Sequence, residues 1–357
     1  MLGKNLIQAA AKKPSGGGGS GPDYYVACTG RLSPYIRAIN FNTTTGFGAT
    51  FANPTLTLES TGIDFEPNAE AIGLVSGGAT SPAIEAWEWS SSGFGTKYTN
   101  ASHNIYEPKR IQFSPDGSKV LVVGNFYDCV NVYPWTNASG FGTKINLNTT
   151  QFISYADASW HPGGDYIAVT RSGSPYVEVY PFGSGWGAKV ANPTALPSGG
   201  TPTRVRWSPD GNSLILVYSS SPYVEAYEWT GTGFGAKYSN PSPLPTSTVT
   251  GVTFSPDSSQ VVLSRSSTPY NAAYEFTTGS GGGFGSKYAD PSPALPSGIA
   301  LDVAITGDGK AVIFAHNTAT KFQAYGWSTS GYGGKYADPS TTSTIDTNNV
   351  MTIVSAT

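Results

Sequence analysis

Glu85, Glu178 and Glu225 are the residues of this chain best suited by type to acid–base chemistry. Each stands in the same short pattern: Ala83-Ile-Glu-Ala-Trp-Glu-Trp89, Tyr176-Val-Glu-Val-Tyr-Pro-Phe182 and Tyr223-Val-Glu-Ala-Tyr-Glu-Trp229. Hydrolysis by a carboxylate pair needs the two groups within roughly 5–10 Å of each other. Equivalent positions of a repeat sit in separate copies, spread around a ring, so these glutamates do not form such a pair. His103, His161 and His316 are scattered in the same way, and none has a His or Cys at metal-ligand spacing. His161 replaces a serine in a turn and reads as an exposed turn residue. No Asp-x-Asp-x-Asp-Gly run suggests calcium, and no Gly-x-Ser-x-Gly elbow is present. The expectation is a protein that is not an enzyme, with no catalytic residue, no metal and no cofactor.

Two sets of side chains could instead bind. Lys97, Lys144, Lys189, Lys237, Lys287 and Lys335 recur with the repeat and would form a basic rim around one face. Such a rim suits an anionic partner, although solvated lysines whose stems cover the aromatic below are the plainer alternative. Tyr35, Tyr176, Tyr223 and Tyr270 follow Ser-Pro or Thr-Pro in turns on the opposite face. They are a candidate contact face for sugar stacking or protein contact; packing against the adjacent Pro-rich loop is the alternative.

The elements that position these residues follow from a period. A glycine, an aromatic and a glycine recur from Gly46, Gly93, Gly140, Gly185, Gly233, Gly283 and Gly331, at spacings of 47, 47, 45, 48, 50 and 48. That period across the chain marks a repeat architecture. Each unit reads as four strands. The first ends in an aromatic and a turn, as in Phe113-Ser-Pro-Asp-Gly117 and Trp207-Ser-Pro-Asp-Gly211. The second is a β-branched, apolar run such as Ser213-Leu-Ile-Leu-Val217. The third alternates and ends on an aromatic: Phe41, Trp89, Trp135, Phe182, Trp229, Phe276 or Trp327. The fourth follows the Gly-aromatic-Gly turn, as in Ala236-Lys-Tyr-Ser-Asn240.

The count of elements predicts the closure. Seven Gly-aromatic-Gly turns accompany only six internal first-strand turns. The missing first strand is Val350-Met-Thr-Ile-Val354, and its partners are Tyr24–Cys28 and Tyr35–Phe41. The fold class is therefore all-β: a seven-bladed β-propeller closed by pairing of N- and C-terminal strands, which leaves no open edge at the seam. The propeller takes residues 23–357.

Composition agrees with a turn-rich ring. Gly (44) and Pro (26) are frequent, aromatics make up 13%, and charged residues only 12%, against about 25% in ordinary soluble proteins. A net charge of −3 offers no footprint for nucleic acid. No apolar run suits membrane insertion, and Cys28 and Cys129 fall in different blades, so no disulfide is expected. Residues 1–22 read as a short apolar-sided helix and a Gly-rich linker (Pro14–Pro22), with a disordered tail as the alternative and no secretory signal. Leu2, Leu6 and Ile7 would carry its docking.

The tandem FSPDG turns resemble those of WD40-like β-propellers, without the Gly-His and Trp-Asp marks of that group. The motifs Trp207–Gly211, Ser221–Val224 and Gly233–Pro241 are similar to those of propeller proteins in structural modules of tailed bacteriophages and prophages. The resemblance implies a non-enzymatic virion protein of the tail or a fibre, made in the host cytoplasm. It would attach to other virion proteins through residues 1–22 and present its propeller for host-surface glycan or protein recognition. A free bacterial interaction scaffold and a glycan-binding propeller lectin are the alternatives.

Overall fold

Each repeat folds as one antiparallel sheet in chain order, and seven such sheets form the molecule. The computed structural model describes residues 23–30, 33–56, 58–76, 83–125, 129–147, 154–292, 296–318, 321–340 and 347–356. Among them there is no helix, so the architecture is the expected all-β seven-bladed propeller. The expected docking residues Leu2, Leu6 and Ile7 lie outside the described residues. The fourth blade shows the pattern: Arg204–Trp207, Ser213–Val217, Val224–Trp229 and Phe234–Lys237. Ser213–Val217 is buried throughout, because the β-branched and leucine side chains of a second strand face a neighbouring blade on either side. The first strands of successive blades touch around the axis and form the wall of a central channel.

What holds one blade to the next is an aromatic cluster centred on the last residue of each third strand. All seven of these rings are buried. Trp135 is typical: its ring meets Phe113 of its own first strand at 5.2 Å, Phe141 of its Gly-aromatic-Gly segment at 5.0 Å, and Tyr98 of the preceding blade at 4.9 Å. Edge-to-face pairs of this kind add about 0.5–1.5 kcal/mol each beyond burial. The Tyr98 hydroxyl also donates to the Asn137 carbonyl at 2.9 Å. Tyr238, Tyr288 and Tyr336 repeat that cross-blade bond to Gly279, Thr329 and Thr43.

This cluster explains the glycine motif. The tripeptide opens the fourth strand rather than preceding it, as Gly93–Lys97 and Gly331–Lys335 show. Its first glycine has φ +75° at Gly140 and +91° at Gly331. A Cβ there would fall 3.0 Å from the Tyr98 ring and 2.8 Å from the Tyr288 ring. Gly46, Gly93 and Gly283 share both features. At the remaining two copies the neighbouring blade offers Ile145 or Val190 in place of the ring. There, Gly185 and Gly233 do not take the left-handed conformation, and nothing lies closer than 3.9 Å. The ring of the neighbour and the conformation of the glycine therefore go together.

The ring closes as its element count predicts. Thr347–Ser355 pairs antiparallel with Tyr24–Gly30, with Tyr25 opposite Val354 and Cys28 opposite Met351. Ile36–Asn42 and Gly46–Thr50 complete that blade. Blade three departs from the plan: its fourth strand is reduced to a bridge between Phe182 and Trp186, where Gly183 and Gly185 weaken pairing. Cys28 and Cys129 are buried and form no disulfide.

Gly331→Ala forces a left-handed alanine against the Tyr288 ring and is expected to cost about 1–3 kcal/mol in urea unfolding. Gly185→Ala, with open space around it, is expected to be near neutral. Equal costs would break the link between ring and glycine.

Candidate functional site: a charged cavity in the central channel

Alternation along the first strands sends every second side chain toward the axis. The position just before the last strand residue carries Asp64, Gln112, Ser159, Arg206, Thr253 and Ala304 in successive blades. Two residues earlier stand Gly62, Arg110, Asp157, Arg204, Gly251 and Asp302. In a chain so poor in charge, six ionisable side chains thus converge on one channel. Two glycines make room for them. A Cβ on Gly62 would lie 3.0 Å from the Arg110 Cα, and one on Gly251 would lie 2.4 Å from Asp302 Oδ1.

Asp157 organises the guanidinium groups. It is fully buried, and it accepts from Arg110 Nε and from Arg206 Nη1, each at 2.6 Å. The Val205 backbone N–H donates to it at 3.0 Å. Burial alone would push its carboxyl up, but Arg110, Arg206 and Arg204 outweigh burial and hold it at about 2. Arg110 reaches on to Asp302 Oδ2, 3.8 Å from its Nη1. Its Nη2 is buried and, among the described residues, has no hydrogen-bond partner. Buried donors are rarely left unmade, and the Arg110 side chain also lines the cavity beside it.

A cavity of about 100 Å³ opens beside these groups. A water needs roughly 10–15 Å³ by that measure, so the space holds several waters or the ring of a small ligand. It is walled by Asp64, Arg110, Gln112, Arg206, Asp302 and Thr352, together with apolar neighbours. Pro67 and Ser114 carry its wall to the turns between first and second strands. Asp64 is half-buried and accepts from the Phe113 backbone N–H and from the Thr352 hydroxyl, both at 2.8 Å. Burial raises its carboxyl to about 6, against the lowering effect of these bonds and of Arg110 and Arg206. The site therefore holds a carboxyl that ionises near neutrality beside positive charge.

The structure places the residues expected from sequence elsewhere. Glu85 and Lys97 form an ion pair within their own blade, as do Glu225 and Lys237. Glu178 pairs with Arg171 at 2.9 Å and lies 4.0 Å from Lys189. Lys287 and Lys335 pair with Asp290 and Asp338, and Lys144 precedes the short strand Ile145–Asn146. The rim lysines are thus largely matched by carboxylates. Tyr35, Tyr176, Tyr223 and Tyr270 are half-buried, each after a cis proline bond and at φ between +64° and +68°. Tyr223 and Tyr270 pack onto inter-blade cores, and none of the four enters the channel. His161 is not an exposed turn residue: its ring lies edge-on to Trp207 at 5.0 Å, with Nδ1 2.6 Å from Asp165. Among the described residues, no group of three or more His, Cys, Asp or Glu is placed to hold a metal ion.

The channel residues are not conspicuous in the sequence because their charges differ from blade to blade and follow no repeat. The available signal was their shared distance from the aromatic that ends the first strand.

No family model and no curated protein matches the chain. Solved structures do. A protein of Bacteroides uniformis assigned as a 6-phosphogluconolactonase shares 15% identity, with 93% of this chain and 99% of that one covered, at a TM-score of 0.72. The periplasmic gluconolactonase of Pseudomonas aeruginosa shares 14%, covering 94% and 100%, also at 0.72. A Desulfotomaculum acetoxidans protein of unknown function shares 15%, at 0.64. At such identities the likeness is one of fold. It nevertheless overturns the expectation of a non-enzymatic virion protein: the neighbours with an assigned activity are bacterial lactonases rather than phage components. The absence of a catalytic role expected from the glutamate spacing is corrected with it, since the carboxylates that converge are Asp64, Asp157 and Asp302.

Asp157→Asn leaves two buried guanidinium groups short of a counter-charge and is expected to cost about 3–5 kcal/mol. The measurement is urea unfolding at pH 7.

Proposed function

We propose that this chain is a hydrolase of a small anionic lactone, acting in the central channel. The reading is carried by one juxtaposition: a carboxyl raised to about 6 lines the same cavity as the guanidinium side chains of Arg110 and Arg206. A carboxylate tuned toward neutrality is ionised at pH 7 yet basic enough to take a proton from water. Asp64 takes that proton as the water oxygen bonds to the lactone carbonyl carbon. The carbonyl oxygen becomes an oxyanion, and the Arg110 guanidinium lining the cavity stabilises it. Collapse restores the carbonyl and breaks the ring C–O bond. Asp64 then returns its proton to the departing alkoxide, giving an open-chain hydroxy acid. Arg206 and Arg110 supply positive charge for the anionic substituent of the substrate. Asp157 has a different part, fixing both guanidinium planes from behind. The lactonase assignments of the fold neighbours support this choice of ester over others.

Proton release at constant pH, measured against γ- and δ-lactones of sugar acids with and without phosphate, tests the reading. Turnover is expected above the spontaneous rate, rising with pH through about 6 as Asp64 ionises. Asp64→Asn is expected to lose about 10²–10⁴ in kcat. Its stability should hold above pH 6, because it removes the cost of a charge that burial disfavours. Failure to turn over any lactone, or full activity in the Asn variant, overturns the proposal.

A further inference from the structure

The closing strand reaches into the site. Thr352 lies on Thr347–Ser355, the strand that completes the ring, and its Oγ1 donates to Asp64 Oδ1 at 2.8 Å. The Phe65 backbone N–H points at the same Oγ1 from 3.4 Å. With that N–H occupying a lone pair of the hydroxyl, the Thr352 proton is directed to the carboxylate. The other oxygen of Asp64 is held by the backbone N–H of Phe113 in the next blade. Asp64 is therefore fixed between a main-chain donor that no substitution can delete and a side-chain donor that one can. The neighbouring strand residue is anchored as well: the Met351 backbone N–H donates to Asp302 Oδ2 at 3.0 Å.

We infer that Thr352 is the positioning residue of Asp64, orienting its carboxylate toward the cavity and stabilising its ionised form, so that ring closure itself tunes the base. The inference rests on the hydrolase reading for its consequence in catalysis, but not for its geometry. The charged groups around Asp64 are Arg110 of blade two and Arg206 of blade four, with Asp157 and Asp302 behind them in blades three and six. The described side chains of the closing strand, Val350 to Ser355, include no titratable group. Its influence on Asp64 thus runs through the Thr352 hydroxyl. A hydroxyl donor to a carboxylate favours the charged form, so its loss raises the carboxyl by about one unit.

The test reads the carboxyl directly. The Asp64 side-chain carbon is followed by NMR against pH in the full-length protein, with Asp64→Asn to assign its signal. Thr352→Val, nearly isosteric, is expected to move the Asp64 midpoint upward by about one unit, and Thr352→Ser, which keeps the hydroxyl, to leave it in place. If valine is not accommodated in the fold, Thr352→Ala removes the same donor with no added bulk. An unmoved midpoint in the variant lacking the hydroxyl, or an equal shift in the serine variant, overturns the inference. Lactone turnover is measured in parallel. There the valine variant is expected to lose about 5–10-fold near pH 6 and to recover by pH 8, as a shift of one unit in a base requires. A shifted midpoint without turnover in any variant would retain the positioning role and reject the hydrolase. A loss of turnover that is equal at all pH values would show damage to the fold and reject tuning.

Discussion

The seam between neighbouring blades is the interaction on which the rest of the molecule depends. Each third strand ends in a ring that is enclosed by its own blade and touched by a side chain of the preceding one. No single blade can enclose that ring, so the hydrophobic stabilisation of each blade is realised only against its neighbours. The closing blade obeys the same rule: Phe41 meets Tyr336 at 5.3 Å, and Tyr25 meets Trp89 at 5.4 Å. Once these seams fix the angle between blades, the axis-facing side chains of the first strands have nowhere to go but toward one another.

That convergence explains why so little charge is concentrated so tightly. Asp157 sits where two guanidinium groups from different blades meet; burial would raise its carboxyl, but their positive charge outweighs burial and holds it down. Asp64, one layer away and open to the cavity, feels the same burial with weaker compensation and is driven up. Two aspartates in one channel are thereby pushed in opposite directions, the arrangement that the proposed hydrolysis calls on to separate a structural charge from a base. The propeller contributes rigidity to this separation, since each group hangs from a different sheet and its neighbours cannot drift independently.

Much of the fold was legible in the sequence because it is written several times. The Gly-aromatic-Gly period, the Ser-Pro-Asp turns and the aromatic at the end of each third strand gave the blade, and their unequal counts gave the closure. The site was not legible for the opposite reason. Asp64, Arg110, Asp157, Arg206 and Asp302 differ from blade to blade, so no repeat advertises them. Asp64 stands beside a degenerate turn, Phe65-Glu-Pro-Asn68, where the pattern is weakest. The repeated residues that attracted a binding role, among them Lys97 and Lys237, are tied to glutamates of their own blades. Repetition in this chain reports what builds the ring, and departure from repetition reports what occupies its centre.

The strand Thr347–Ser355 is the last of the seven first strands to leave the ribosome, and it pairs with one of the earliest. During synthesis the nascent sheets can stack one by one, yet the wall that carries Thr352 and Met351 is absent until that strand has been made. A chain stopped before Thr347 would present an open arc with a gap beside Asp64. On the hydrolase reading such an arc would be silent, because the chamber exists only once this strand is in place.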